Sequence, residues 1–264
     1  FSLTGSIDSQ NGALETEGAI PEVIYNQIAF RNISVRVTPV PGALSSKIRF
    51  GEVRHLNGLN LHNLAFLMDA KNDQIKSRIV WNNWEKLSYS GEILSDFNFA
   101  RNDSTGKPFV DIKMKPSGII IADTVWKLAP ASIRIDNREI TVNGFSFKNG
   151  EQEFRLNGKI APESSERLSL VFRNIDLARL EQYLNKPLAI SGLINGNIGI
   201  SDFYNNRRFD SDLHLSGFEY QDQMIGDISF VNKWDRETEL VNGEMTITKN
   251  NRAQLKGTGY FDPG

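Results

Sequence analysis

Residues 134–160 read RIDNREITVNGFSFKNGEQEFRLNGKI. Apolar and polar side chains alternate here almost without interruption, the period-2 signature of a half-buried β-strand. In the last run Phe154, Leu156, Gly158 and Ile160 share one face, while Glu153, Arg155, Asn157 and Lys159 share the other. Turn residues at Asp136-Asn137, at Asn149-Gly150 and near Pro162 cut the stretch into strands of about ten residues, each able to span roughly 30 Å. Within one strand the phase slips, because Ile140 and Val142 are even-numbered but Phe145 and Phe147 are odd. A bulge at Asn143-Gly144 restores a single apolar face.

The same alternation extends in both directions. It appears in Ile28 and Phe30, in Ile33, Val35 and Val37, in Ile48 and Phe50, in Leu59 and Leu61, and in Phe97 and Phe99. It returns in Val110 and Ile112, in Leu168, Leu170 and Phe172, in Leu213 and Leu215, and in Met245 and Ile247. Hairpin turns are expected at Asn11-Gly12, Asn57-Gly58, Asp103-Ser104-Thr105-Gly106, Asn205-Asn206 and Asn250-Asn251, where Asn and Gly tolerate left-handed backbone. One segment departs from this. In NIDLARLEQYLNKP, Leu177, Leu180 and Leu184 have helical spacing, Asp176 is a suitable N-cap and Pro187 a stop, which predicts a short amphipathic helix over about 176–185. The stretch SGIIIADTVWKLAP reads as strand in preference to a turn of helix.

Glycine recurs on the apolar face. The pattern apolar-x-Gly-x-Ile occurs as Leu3-Gly5-Ile7, Tyr89-Gly91-Ile93, Leu156-Gly158-Ile160, Ile190-Gly192-Ile194 and Ile194-Gly196-Ile198. Glycine weakens a strand, so its return on the greasy side needs a cause. Sharp bending of the sheet and close approach to the backbone are the two candidates. Loose repetition of this kind also predicts an elongated stack of similar units.

The bulk composition narrows the function. The 264 residues carry 30 basic and 32 acidic side chains, a net charge of −2, and no cysteine. That balance lacks the basic footprint of a nucleic-acid binder. The missing thiols exclude disulfides, thiol catalysis and cysteine-ligated metals. No run approaches the roughly 18 apolar residues of a membrane-crossing helix, and no signal peptide is evident. The opening FSLTGSI and the closing GYFDPG do not read as natural termini, which predicts an excerpt of a longer protein. Enzymatic signatures are lacking: there is no nucleophile elbow, phosphate-binding loop or dinucleotide fingerprint. His55, His62 and His214 do not have the spacing of metal ligands. These features point away from an enzyme, and no cofactor or metal is implied. Asn32-Ile33-Ser34 and Asn102-Asp103-Ser104 match the short glycosylation sequon. Trp81, Trp84, Trp126 and Trp234 are the candidates for sugar-stacking platforms, but such residues more often anchor a β-core.

Two longer stretches carry a family resemblance. The first is IIADTVWKLAPASIRIDNREITVNGFSFKNGEQEFRLNGKI. The second runs from RLSLVFRNIDLARLEQYL through ISGLINGNIGIS to FDSDLHLSGFEYQDQMIGDISFVNKWDRETELVNGEMTI and QLKGTGYF. Together they resemble the C-terminal region of the TamB family, the translocation and assembly module proteins of Gram-negative envelopes within the AsmA-like superfamily, in its Bacteroidetes-type form. The likeness covers about 120–264 in order and 1–120 only in style. It implies a periplasm-spanning rod anchored in the inner membrane by a segment outside this chain. That rod is a long, curved, mostly antiparallel sheet with an apolar groove, supporting phospholipid transport to the outer membrane and outer-membrane protein assembly with a BamA-like partner. On that reading the chain is one elongated groove over 1–264, with a subdivision at 1–120 and 121–264. Phospholipid acyl chains are the cargo, and Leu3, Ile7, Phe154, Leu156, Ile160, Ile190, Ile194 and Ile198 line the groove. Glu153, Arg155 and Lys159 face water. The rival reading is a secreted carbohydrate-binding or adhesin-like β-sandwich, which explains the alternation equally well but the recurring glycine less well.

Overall fold

The computed structural model describes residues 1–8, 13–40, 42–55, 60–83, 88–121, 123–179, 188–235 and 237–262. The turns expected at Asn11-Gly12 and Asn57-Gly58, Leu59, Trp84, and Leu180, Leu184 and Pro187 of the expected helix lie outside these residues. The chain is all-β and antiparallel, as the alternation predicts, and it divides into two compact units, Phe1–Pro130 and Ala131–Gly264.

The first unit is built from β1 (Ser2–Asp8), β2 (Ala13–Tyr25), β3 (Ile28–Val40), β4 (Ala43–His55), β5 (Asn60–Lys71), β6 (Gln74–Asn83), β7 (Tyr89–Arg101), β8 (Pro108–Met114), β9 (Ser117–Ile121) and β10 (Thr124–Leu128). From β1 to β7 each strand pairs with the next, so the chain meanders. The far side of β7 is shared end to end by β8 and β9. Pro116 separates them because it has no N–H for the ladder. The hydroxyl of Ser117 fills the gap by accepting a hydrogen bond from the Leu94 N–H at 3.0 Å.

The second unit holds β11 (Ala131–Asp136), β12 (Glu139–Asn149), β13 (Gln152–Ile160), β14 (Arg167–Asp176), β15 (Ile190–Ser201), β16 (Arg208–Tyr220), β17 (Gln223–Asp235), β18 (Leu240–Lys249) and β19 (Arg252–Phe261). It is again a meander, with every strand paired to its successor. Tight turns at Asn137-Arg138 and Asn250-Asn251 use asparagines with φ of 53°, 51° and 58°, the left-handed backbone that short hairpins require. After β14 the chain enters a helical turn at residues 177–179. Asp176 caps it, its Oδ1 accepting the Ala178 N–H at 3.0 Å.

The phase slip read from residues 140–147 is a bulge. Val142 pairs with Gly158 and Phe145 with Leu156, so three steps on β12 oppose two on β13. Gly144 takes φ 72° and its N–H is bound by Asn157 Oδ1 at 3.2 Å. The same device recurs twice. On β14, Asn174 (φ 47°) donates its N–H to Asn195 Oδ1 at 2.9 Å, between the pairs Phe172–Gly196 and Ile175–Ile194. On β16, Gly217 (φ 59°) donates to Asp227 Oδ1 at 2.8 Å, between Leu215–Ile228 and Phe218–Gly226. Each bulge frees a backbone N–H, and an Asn or Asp on the next strand satisfies it.

Candidate functional site

The feature that stands out in each unit is one continuous apolar face. In the first unit a transverse row runs Leu3, Gly18, Val35, Ile48, Phe66, Ile79, Ile93 across seven strands, each residue paired directly with the next. A second row joins Val23, Phe30, Val53 and Leu61. Aromatic rings link the rows: Phe30 and Phe50 centroids lie 5.5 Å apart and Phe50 and Phe66 5.9 Å, the tilted and edge-on contacts that such rings favour.

In the second unit one row runs Phe147, Phe154, Phe172, Gly196, Leu213, Phe230, Met245, Gly257 over eight strands. Another joins Ile175, Ile194, Leu215, Ile228, Ile247 and Leu255. Directly opposed apolar pairs of this kind stabilise a sheet by about 0.2–1 kcal/mol each relative to alanine pairs. The reverse face is polar: Ser146, Arg155, Val171, Asn197, Asp212, Val231, Glu244 and Thr258 form the matching row.

Little covers the apolar rows. Among the described residues only nine apolar side chains are buried, Ile33, Ala65, Trp126 and Leu128 in the first unit and Val142, Ala161, Ile175, Leu177 and Val241 in the second. Most row residues are half-buried, and Phe230 and Leu255 are 37% and 47% exposed. Two packed sheets would instead seal their inner faces into a core about 10 Å thick.

The structure places six of the eight predicted lining residues in the second unit. Phe154, Leu156 and Ile160 are on β13, and Ile190, Ile194 and Ile198 on β15. It brings them together through β14 and β12: Leu156 pairs with Leu170, which pairs with Ile198; Phe154 pairs with Phe172; Ile160 pairs with Ile140. Ile190 stands nearer the strand end, paired with Tyr220. Leu3 and Ile7 belong to the first unit, on β1, and are 67% and 79% exposed.

The recurring glycine has two causes. Gly158 and Gly196 adopt φ of 119° and 129°, where a side chain is strained. A Cβ on either would also drive into a carbonyl oxygen of the following strand, that of Arg167 or Asp212. Gly91 has no such backbone; there the Trp81 ring occupies the space that a Cβ would take. Close approach explains all three.

Two pairs of polar side chains on the apolar face bond to each other. Asn232 donates to Ser211 Oγ at 3.0 Å, and the Ser77 and Ser95 hydroxyls are 2.9 Å apart. Alternation alone does not locate these interruptions. On the polar face one expectation needs correction. Glu153, expected in water, is only 5% exposed. It accepts from Ser146 Oγ at 2.8 Å and from Arg155 at 2.9 Å, with Lys148 and Arg173 at 3.4 and 3.5 Å. Three cations converge on one strand position, and their aliphatic stems exclude water from it. Burial pushes its carboxyl up, but the hydrogen bonds from Ser146, Arg155 and Lys148 outweigh this and hold it below the usual carboxylate range. A lowered folded-state value means that the group's contribution is present above about pH 4.3 and drains away as pH falls through that lowered value. Glu153→Gln is expected to cost about 1–2 kcal/mol at pH 7, limited by the solvent exposure of its partners. It should also flatten the fall in stability as pH drops below about 4.3. Urea unfolding from pH 7 downward checks both.

His62 contacts Asn60 Nδ2 at 3.0 Å on β5, and His214 lies 3.0 Å from Asp212 on β16. Among the described residues no group of three or more acidic or imidazole side chains is placed to hold a metal ion. Comparison with protein-family models, with curated proteins and with solved structures gave no match to this chain.

Proposed function

We propose that the apolar face is a carrier surface for acyl chains, and that the chain is a TamB-like segment of a periplasmic groove supporting phospholipid transport to the outer membrane and outer-membrane biogenesis. The observation that carries this reading is the pairing of apolar residues across as many as eight consecutive strands, with most of these side chains only half-buried. An acyl chain in water costs about 0.8 kcal/mol per methylene, on the order of 10 kcal/mol for a long tail. A strip of Leu, Ile and Phe replaces that water. Because the rows repeat with little variation, no single position holds a tail strongly, and cargo slides. Such work needs no catalytic group. A BamA-like partner and an inner-membrane anchor belong to the same reading and rest on the family resemblance.

Adjacent residues on opposite faces supply the test. Ile198 lies in an apolar row, whereas Asn197 pairs with Asp212 on the polar face and is exposed. A photo-crosslinking amino acid at 198 is expected to capture phospholipid in cells, and one at 197 to capture none. Equal capture at both positions, or none at 198, contradicts the proposal. The sandwich alternative requires a sealed interior, and the half-buried rows do not favour it.

A further inference from the structure

A cluster of arginines and aromatic rings lies at one end of the second unit, where β15 turns into β16. Asp202 organises the turn. It is 4% exposed, accepts the Asn205 side-chain amide at 2.8 Å and pairs with Arg208 at 3.1 Å. Arg208 in turn lies over the Trp234 ring, 5.4 Å from its centroid. Phe203 and Tyr204 meet edge to face at 5.4 Å. Each ring carries one further guanidinium: Arg138, from the β11–β12 turn, sits 4.4 Å over Tyr204, and Arg207 sits 5.7 Å from Phe203.

The charges around this cluster are unevenly matched. Lys159 pairs with Glu139 and Glu166, Arg167 with Asp210, and Arg208 with Asp202. Arg138 and Arg207 have no carboxylate within ion-pair distance among the described residues; aromatic faces alone hold them. Stacking orients a guanidinium while leaving its N–H edge free, and that planar fork matches a phosphate oxygen pair. Just inside the turn, Ile200 pairs with both Leu168 and Phe209, continuing the apolar face to this end.

From this juxtaposition we infer that Arg138 and Arg207 form a binding site for a phosphate ester, positioned to hold the headgroup phosphate of a lipid whose tail lies on the adjoining apolar face. This rests on the acyl-chain reading above. A phosphodiester or free phosphate presents the same oxygens to a guanidinium, so the source must be separated by experiment.

Three probes are titrated calorimetrically against the full chain and against the double variant Arg138→Gln, Arg207→Gln. They are dihexanoyl-phosphatidylglycerol, hexyl glucoside and inorganic phosphate. Both arginines are exposed, so the variant should fold, and its circular dichroism spectrum and melting temperature confirm this. The expected result is that the variant loses about tenfold or more in affinity for phosphatidylglycerol, with hexyl glucoside binding unchanged. Undiminished phosphatidylglycerol binding by the variant overturns the headgroup site while leaving the apolar face intact. Inorganic phosphate binding as tightly as the lipid overturns the lipid assignment in favour of a free-anion site. Failure of both tailed probes to bind the wild-type chain sinks the acyl-chain reading itself, and the inference with it.

Discussion

Gly196→Ala is expected to destabilise the protein by at least about 3 kcal/mol. Two penalties act together. An L-residue at φ 129° is strained by about 1–3 kcal/mol. In addition the new methyl meets the Asp212 carbonyl oxygen on β16, and a backbone atom cannot swing aside as a side chain can. Relief requires β15 and β16 to separate in the middle of their eleven-pair ladder. Gly257 is the control. It lies in the same transverse row, on β19, but has no unusual φ, and an added Cβ there meets nothing within 4 Å. Gly257→Ala should change stability by less than about 0.5 kcal/mol. Urea midpoints of the two variants decide the matter: equal shifts would mean that the recurring glycines are not set by close strand approach.

Charge on the apolar rows gives the second large effect. The double variant Ile194→Asp, Ile198→Lys is expected to abolish binding of a fluorescent undecanoic acid probe while leaving the far-ultraviolet circular dichroism spectrum unchanged. Both side chains are half-buried, not enclosed, so a charge at either position stays within reach of water, and the long stem of the lysine introduced at 198 keeps its head there. Their strand partners, Leu215 for Ile194 and Leu170 for Ile198, remain in place to hold the ladder. An isolated charge in an acyl path replaces a favourable contact with a desolvation cost of several kcal/mol. If the variant unfolds, these positions are core. If it folds and binds the probe undiminished, the acyl chain lies elsewhere.

Much of this architecture is legible in the sequence because strand alternation is a local property. Residues 152–160 alternate cleanly and form β13 with the predicted faces. Asn250-Asn251 and Asn137 turn where their tolerance of left-handed backbone says they should. The bulge at residues 143–144 follows from the change of phase between Val142 and Phe145. The wider sequence pattern behind it is harder to see, and it shifts the register at residues 142–145, 172–175 and 215–218 but not at 30–33 or 61–64. Phe30-Arg31-Asn32-Ile33, Leu61-His62-Asn63-Leu64, Val142-Asn143-Gly144-Phe145, Phe172-Arg173-Asn174-Ile175 and Leu215-Ser216-Gly217-Phe218 all place Asn or Gly between apolar residues three apart. In every case that Asn or Gly has positive φ, between 47° and 72°. The motif is four residues long with two variable positions, so only the backbone angles single it out.

What the sequence hides depends on pairing between strands. Nothing local to Glu153 announces its burial, since Ser146 reaches it from β12 and Arg173 from β14. The glycine pattern shows the same limit. Gly91 and Gly196 both fit the apolar-x-Gly-x-Ile pattern, yet one lies against the Trp81 ring and the other has a backbone that only glycine accepts readily. Leu3 and Ile7 match the repeat as well as Ile194 does, but they stand on a strand where they are mostly exposed. The candidate site is a property of rows across strands, and rows follow from register, which bulges shift by one residue at a time.

An apolar face that hosts hydrocarbon should carry lipid through purification. Native mass spectrometry of the protein purified from cell envelopes, without added lipid, tests it most directly. The expected spectrum shows mass increments of intact phospholipid that disappear in the Ile194→Asp, Ile198→Lys variant. A lipid-free spectrum from folded wild-type protein, accompanied by binding to glycans, would contradict it.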